Sequence, residues 1–140
     1  MNPTETFNNI RIVLCQTSHP GNIGSTARAM KTMGFTNLYL VNPLSFPDAH
    51  ATALSVNASD VLETAVVTKT LEEAIADCNF VVGVSGKERS LSQEVMHVRD
   101  AAIKTKEIAS NQQVALVFGT ETSGLSTIEA NRCHVLATIP

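Results

Sequence analysis

The amino-acid sequence predicts an α/β domain with a mostly parallel, six-stranded sheet and helices on both faces. Short apolar runs recur along the chain, and most are continuous rather than alternating, as in strands covered on both faces. Segments with helical spacing lie between these runs, and strict alternation of strand and helix favours parallel pairing through crossover connections. A length of 140 residues, 44% of them apolar, predicts one domain spanning residues 1–140.

Each element is predicted from its own local pattern. The strands are expected at residues 10–15, 38–41, 65–68, 80–84, 114–118 and 134–138. The first helix places Ile23, Ala27 and Met30 on one face and is expected to end at Gly34. Later helices are expected at residues 51–62, 71–77, 98–109 and 127–131. Because ligands of such sheets bind beyond the carboxyl ends of the strands, the site is expected at that edge.

Composition excludes several classes of protein. No stretch approaches the roughly 20 apolar residues of a membrane span, and the N-terminus lacks the basic flank and apolar core of a signal peptide, so we expect a cytoplasmic protein. The three cysteines lack metal-ligand spacing, which predicts reduced structural thiols and no metal site. With a net charge of −3, any nucleic-acid partner must be held by a local basic patch.

The first motif is the stretch S-H-P-G-N-I-G-S-T-A-R at residues 18–28. It opens a helix directly after a strand, where backbone N–H groups can face an anion, yet it matches neither G-x-G-x-x-G nor the P-loop. In the plainer interpretation, Gly21 and Gly24 permit a tight turn and close helix packing, and Asn22 caps the helix. Arg28 is either a solvated surface arginine or a side chain held near the ligand edge.

The second motif is F-G-T-E-T-S-G-L-S at residues 118–126. Gly119, directly after an apolar strand, allows the backbone to approach a ligand closely, and Glu121 supplies a carboxylate at the same strand end. The plainer interpretation makes Gly119 and Gly124 turn formers, leaves Glu121 in solvent and assigns Ser126 as the N-cap of the next helix. The second motif alone does not decide between them.

Together the two motifs resemble those of the SpoU-like ribose 2'-O-methyltransferases of the SPOUT class, and the similarity covers essentially the whole chain. N-I-G-S-T-A-R at residues 22–28 is similar to their first motif, residues 118–126 to the second, and T-I-P at 138–140 to the start of the third. The stretches S-H-P-G-N-I-G at residues 18–24 and A-R-A-M-K-T-M-G-F-T-N-L-Y-L-V-N-P at residues 27–43 resemble the TrmJ-type subgroup. This resemblance implies methylation of a pyrimidine ribose at the start of the tRNA anticodon loop. Family members continue into a knotted segment that completes the cofactor pocket, so the domain is expected to be truncated before its third motif.

The resemblance implies methyl transfer from S-adenosylmethionine to a ribose 2'-hydroxyl of tRNA by a homodimer, without a metal. It places Arg28 at the reacting hydroxyl, with Asn22 and Glu121 holding that arginine in place. A guanidinium remains protonated in proteins and is therefore a poor base. We accordingly expect Arg28 to orient the ribose and its neighbouring phosphate and to stabilise the developing oxyanion.

The same resemblance implies the residues that bind cofactor and RNA. The expected cofactor-binding residues are Val84, Ser85, Gly86, Gly119 and Ile139. The expected RNA-binding residues are Arg28, Lys31, Lys87 and Arg89. Competing interpretations are a non-catalytic RNA-binding or dimerisation module, an rRNA 2'-O-methyltransferase and a generic nucleotide-binding α/β domain, although the last lacks a phosphate fingerprint.

Overall fold

The computed structural model describes residues 3–85, 94–121 and 123–138. Within these ranges the strands are β1 (Ile10–Cys15), β2 (Asn37–Val41), β3 (Val66–Thr68), β4 (Phe80–Ser85), β5 (Glu94–His97), β6 (Val114–Phe118) and β7 (Val135–Thr138). The helices are α1 (Pro3–Asn8), α2 (Pro20–Met33), α3 (Ala49–Leu54), α4 (Ser59–Glu63), α5 (Leu71–Ile75), α6 (Val98–Ala109) and α7 (Thr127–Asn131). None of these helices has the length and apolar character needed to cross a bilayer.

The strands form one parallel sheet in the order β3-β2-β1-β6-β4-β7-β5. The predicted parallel α/β architecture is confirmed, but the predicted count of six strands is wrong because the sheet has seven. The additional strand is β5, an exposed edge strand that pairs with β7 through Val95 and Leu136. Its short E-V-M-H sequence begins with a glutamate, ends with a histidine and contains no apolar run longer than two residues, so only the tertiary pairing reveals it as a strand.

The helices differ from the prediction in the region of α3 and α4 and at the start of the chain. The helix expected over residues 51–62 is divided into α3 and α4, because Val56 and Asn57 have φ values of 27° and 62°. A left-handed backbone at two successive residues cannot continue a right-handed helix. Helix α1 was not expected from the sequence, and it packs Phe7 against Phe35, with ring centroids 4.8 Å apart.

Helices cover both faces of the sheet and bury its central strands. Helices α2, α3 and α4 pack on one face over β1 and β2, and α6 packs farther along that face over β4 and β7. Helices α5 and α7 cover the opposite face. Val13 and Val117, which are paired across β1 and β6, are fully buried at the centre of that second layer.

The register of the central strands determines where their following loops emerge. Leu14 pairs with Phe118 across β1 and β6, and Cys15 pairs with Val41 across β1 and β2. The carboxyl ends of these strands therefore lie at one edge of the sheet. The segments that carry the two motifs, residues 16–28 and 118–126, begin side by side at that edge.

Gly24 sets the distance between α2 and α3. A Cβ added at Gly24 would lie 2.1 Å from the backbone oxygen of Ala51, far inside van der Waals contact. Gly21 is also close to α3, because its added Cβ would lie 2.8 Å from Leu54 Cδ1. The plainer interpretation of these glycines, close helix packing, is confirmed.

We expect Gly24→Ala to destabilise the fold by about 1–3 kcal/mol, because a backbone oxygen has no rotamer by which to move away from the new methyl group. At a helix position with free space, the change from Gly to Ala stabilises the protein by up to about 1 kcal/mol. The sign of the change in the free energy of unfolding therefore distinguishes close packing from free space. Urea denaturation followed by circular dichroism measures the difference, with Thr32→Ala on the exposed face of α2 as the control. Unchanged or increased stability of Gly24→Ala would contradict the close approach of α2 and α3.

Candidate functional site

An open cleft of about 320 Å³ lies at the carboxyl edge, between α2 and the end of β6. Its lining residues come from β1, the following turn, α2 and the loop after β6: Leu14, Thr17, Asn22, Ser25, Thr26, Ala29, Gly119 and Glu121. The first and second motifs, separated by about ninety residues along the chain, thus form opposite walls of one cleft. Polar groups on both walls make the cleft suited to a hydroxyl-bearing ligand.

Glu121 joins the two walls through hydrogen bonds from Ser18. The Ser18 hydroxyl donates to Glu121 Oε2 at 2.7 Å, and the Ser18 backbone N–H lies 3.2 Å from Oε1 and 3.4 Å from Oε2. These residues are 103 positions apart in the sequence. Hydrogen bonds to an ionised carboxylate are stronger than those between neutral groups, so this contact holds one motif against the other.

The pKa of Glu121 lies below its ordinary value. Partial burial acts to raise that pKa, but the hydrogen bonds from the Ser18 hydroxyl and backbone, with a further one from the Asn22 side chain, outweigh the burial. The carboxylate is therefore ionised at neutral pH and accepts hydrogen bonds from the residues around it. Asn22 lies within α2 and does not cap the helix, because the residue at the N-cap position is His19.

The loop after β6 turns back tightly on itself. A Cβ at Gly119 would lie 2.0 Å from the carbonyl carbon of Gly124, and the backbones of Thr120 and Gly124 exchange hydrogen bonds of 3.2 and 2.9 Å. Gly124 adopts a φ of 70°, in the left-handed region that favours glycine. Among the residues that the structure describes, none lies within 4 Å of a Cβ added at Gly124. The turn-forming role of both glycines is confirmed.

Arg28 lies on the flank of α2, exposed to solvent, and is not among the residues that line the cleft. The residues of α2 that line the cleft lie on one face of the helix, three or four positions apart: Asn22, Ser25, Thr26 and Ala29. Arg28 lies on the neighbouring face. Lys31, one turn farther on, forms a 2.6 Å ion pair with Asp60 on α4. The structure therefore brings Asn22, Gly119 and Glu121 together and places Arg28 and Lys31 outside their cleft.

Val84 and Ser85 lie at the end of β4, adjacent to the ends of β6 and β7, where Val84 pairs with Phe118 and Ser85 with Thr138. The Val84 side chain lines an apolar groove of about 350 Å³ between α1 and α6, on the same face of the sheet as α2. Gly86, Lys87, Arg89 and Ile139 lie outside the described residues. In the part of the chain that the structure covers, no three His, Cys, Asp or Glu side chains form a group suited to a metal.

Several residues of this edge escaped the sequence analysis. Thr17 lines the cleft, Ser18 binds Glu121, and Gln16 lies near the buried carboxylate of Glu129. Their roles depend on contacts across more than 100 positions, which leave no periodic or motif signal. The assignment of Ser126 as the N-cap of the next helix is confirmed, because Ser126 and Glu129 form a capping box at the start of α7.

Comparison with known proteins connects this geometry to a family. A model of the SpoU rRNA methylase family matches residues 9–140, nearly the whole chain and both walls of the cleft. The chain belongs to the SpoU rRNA methylase family. The family resemblance inferred from the motifs is thereby confirmed.

Individual members of the SpoU family are similar over most of the chain. The tRNA (cytidine/uridine-2'-O-)-methyltransferase TrmJ of Yersinia enterocolitica is 53% identical over 134 residues, which cover 96% of this chain and 52% of that protein. The crystal structure of TrmJ from Z. mobilis ZM4 superposes with a TM-score of 0.89 at 33% identity, covering 93% of this chain and 58% of that one. The present chain thus spans between half and three fifths of the length of these two TrmJ proteins.

A more distant SpoU protein shows the same fold at low identity. AviRb from Streptomyces viridochromogenes, solved in complex with the cofactor AdoMet, has a TM-score of 0.68 and 20% identity, covering 93% of this chain and 51% of that one. At this identity the likeness establishes the fold alone.

We expect Ser18→Ala to raise the pKa of Glu121 toward its ordinary value, because the change removes the hydroxyl donor that most favours the carboxylate. The pKa of Glu121 is lower in the folded protein than in the unfolded chain. These hydrogen bonds therefore contribute fully to the free energy of unfolding above the pKa of the unfolded chain, and their contribution is lost as the pH falls through the pKa of the folded protein. An NMR titration of the Glu121 side-chain carbon measures the shift. Ser123→Ala, in the same loop but bonded to Thr120, is the control and should leave the Glu121 titration unchanged.

Proposed function

We propose that this chain carries the catalytic domain of an S-adenosylmethionine-dependent RNA methyltransferase acting on a ribose 2'-hydroxyl of tRNA. The observation that carries the proposal is the convergence of the two motifs at one cleft, where Ser18 binds Glu121 and where Asn22 and Gly119 line opposite walls. The TrmJ relatives, at 53% identity, are named as tRNA (cytidine/uridine-2'-O-)-methyltransferases and support the ribose of a tRNA pyrimidine as the target. On the resemblance of the motifs we place that pyrimidine in the anticodon loop. In this proposal residues 1–140 form a SPOUT domain.

S-adenosylmethionine supplies an electrophilic methyl group, and the strand ends next to the cleft fit such a cofactor. Val84 and Ala137, each one residue before the end of its strand, lie level with Phe118 at the end of β6. No described residue lies within 4 Å of a Cβ added at Gly124. Gly119 carries no side chain and that of Ser85 is small, so a ligand could approach the backbone closely at these strand ends. We assign Val84, Ser85 and Gly119, together with Gly86 and Ile139, to cofactor binding.

The cleft residues act on the ribose by holding it. The Glu121 carboxylate and the Asn22 amide can accept and donate hydrogen bonds to sugar hydroxyls, and they fix the sugar relative to the methyl donor. Arg28 then supplies positive charge to the reacting oxygen and the adjacent phosphate. Because Arg28 lies outside the cleft of its own chain, we propose that the active species is a homodimer in which a second copy completes the site.

Methylation assays with RNA transcripts test the proposed substrate. Incubation of the protein with tRNA transcripts and isotopically labelled S-adenosylmethionine should label one anticodon-loop pyrimidine ribose, which mass spectrometry of nuclease digests can locate. The family description also names rRNA, so an rRNA fragment is the matched alternative substrate. Label in the rRNA alone would replace the tRNA assignment, and binding of RNA without any label would favour the non-catalytic module.

We expect Arg28→Lys to lower kcat by about 10²-fold, because one ammonium cannot reproduce the planar, two-pronged contact of a guanidinium with a ribose and its phosphate. Single-turnover assays at saturating tRNA measure the chemical step. Arg132→Lys is the control, since Arg132 forms a surface ion pair with Glu72 outside the cleft. A near-normal rate for Arg28→Lys would remove Arg28 from the mechanism.

We expect tRNA affinity to fall steeply with salt, because a chain with a net charge of −3 binds a polyanion only through local cations. Contacts from Arg28, Lys87 and Arg89 predict a slope of log K against log salt of about −2 to −3. Fluorescence anisotropy at several salt concentrations measures this slope, and Arg28→Gln should reduce it by about 1. Lys104→Gln, whose ammonium lies over Phe80, is the control, and a flat salt response of the unmodified protein would exclude phosphate contacts.

A further inference from the structure

Glu129 on α7 is the one buried carboxylate among the described residues, with 8% of its surface exposed. Burying a carboxylate is unfavourable unless several donors surround it. Neither the family motifs nor the cleft accounts for this residue, because Glu129 does not line the cleft. The hydrogen-bond partners of Glu129 therefore indicate the role of this buried carboxylate.

Only one oxygen of Glu129 is needed for the helix cap. Glu129 Oε1 accepts from the Ser126 backbone N–H at 2.8 Å, and the Ser126 hydroxyl accepts from the Glu129 N–H at 3.1 Å. This reciprocal capping box accounts for the start of α7. It leaves Glu129 Oε2 available to another part of the chain.

The second oxygen faces the segment that follows β1. Gln16 Nε2 lies 3.5 Å from Glu129 Oε2, although the two residues are 113 positions apart. The Cys15 thiol also lies beside this carboxylate: burial raises the pKa of Cys15, and the negative charge and hydrogen bonding of Glu129 raise it further. The carboxylate thus contacts donors from two segments, the end of β1 and the start of α7.

Gln16 occupies a backbone conformation that needs support. Its φ of 54° is left-handed, which is unfavourable for a residue other than glycine. Its N–H donates to the Val41 oxygen at 2.8 Å, while its side chain lies near Glu129. The next two residues enter the cleft, because Thr17 lines it and Ser18 binds Glu121.

We propose that Glu129 is a positioning residue of the methyl-transfer site: through Cys15 and Gln16 it holds the turn that presents Thr17 and Ser18 to the cleft. Two carboxylates of one polypeptide segment then hold the other segment at two points, Glu121 at Ser18 and Glu129 at Gln16. The catalytic part of this inference rests on the proposed function. The structural part, the dependence of the turn on Glu129, does not.

Kinetics of Glu129→Ala and Gln16→Ala test the catalytic part. We expect each variant to lower kcat about tenfold or more, with little change in KM for tRNA, because a displaced turn misaligns a ribose that still binds through its phosphates. Ser126→Ala is the matched control, since it weakens the same helix cap but leaves Oε2 and Gln16 in place, and its kcat should equal that of the unmodified protein. Gln16→Ala changes an exposed side chain, so it keeps the test available if Glu129→Ala fails to fold.

The double variant separates positioning from a general loss of stability. If Glu129 acts through Gln16, the combined loss of kcat in Glu129→Ala with Gln16→Ala should be smaller than the product of the two single losses. Independent, multiplicative losses would overturn the proposal. A loss of kcat in Ser126→Ala that matches its loss in Glu129→Ala would also overturn it, because the cap alone would then explain the effect.

Hydrogen exchange gives a readout that needs no enzymatic activity. The amides of residues 16–18 should exchange faster in Glu129→Ala and Gln16→Ala than in the unmodified protein, and should remain unchanged in Ser126→Ala. Unchanged exchange in Glu129→Ala overturns the positioning inference. If exchange responds as expected while the unmodified protein methylates no RNA, the contact between Glu129 and the turn stands and the proposed function fails.

Discussion

The parallel pairing of β1 with β6 is the constraint on which the site depends. Leu14 lies opposite Phe118, so the chain leaves both strands at the same level of the same edge. The two motifs would otherwise be distant segments with no local reason to meet. Val13 and Val117 pack fully buried under α5 and α7, and a shift of either strand by one residue would move its side chains to the other face, into the layer beneath α2 and α6.

Beyond the sheet, the loops lack the ladder of backbone hydrogen bonds that aligns strands, and side chains take over that task. Glu121 and Glu129 both come from the segment after β6, and both reach the segment after β1. They differ in environment: Glu121 is exposed, with hydrogen bonds that lower its pKa, whereas Glu129 is buried beneath the turn. Glu121 is therefore accessible to a ligand in the cleft, whereas Glu129 lies beneath the turn formed by residues 16–18.

Charge is distributed unevenly around the proposed RNA site. The cleft itself contains the ionised Glu121, so it is poorly suited to a phosphate and better suited to sugar hydroxyls. Arg28 lies on the flank of α2, where it can meet the backbone of an RNA chain without entering the cleft of its own polypeptide. Lys31 is less available, because Asp60 already offsets its charge. This division between a hydroxyl-binding cleft and surrounding cations is consistent with recognition of RNA by its backbone.

The sequence by itself determined the elements whose signals are local. Continuous apolar runs identified the buried strands, and helical spacing identified α2 and α6. The plainer interpretation of the second motif identified Ser126 as the cap of α7, and the two motifs together identified the family. Only the tertiary structure decided the rest. Strand β5 is recognised as a strand only by its pairing with β7. The break between α3 and α4 depends on left-handed residues that no sequence motif predicts. The roles of Ser18, Gln16 and Glu129 depend on partners more than 100 positions away in the sequence. Periodicity records which face of an element is buried, but a contact between two loops depends on the register of the strands that precede them, and that register forms only when the whole sheet assembles.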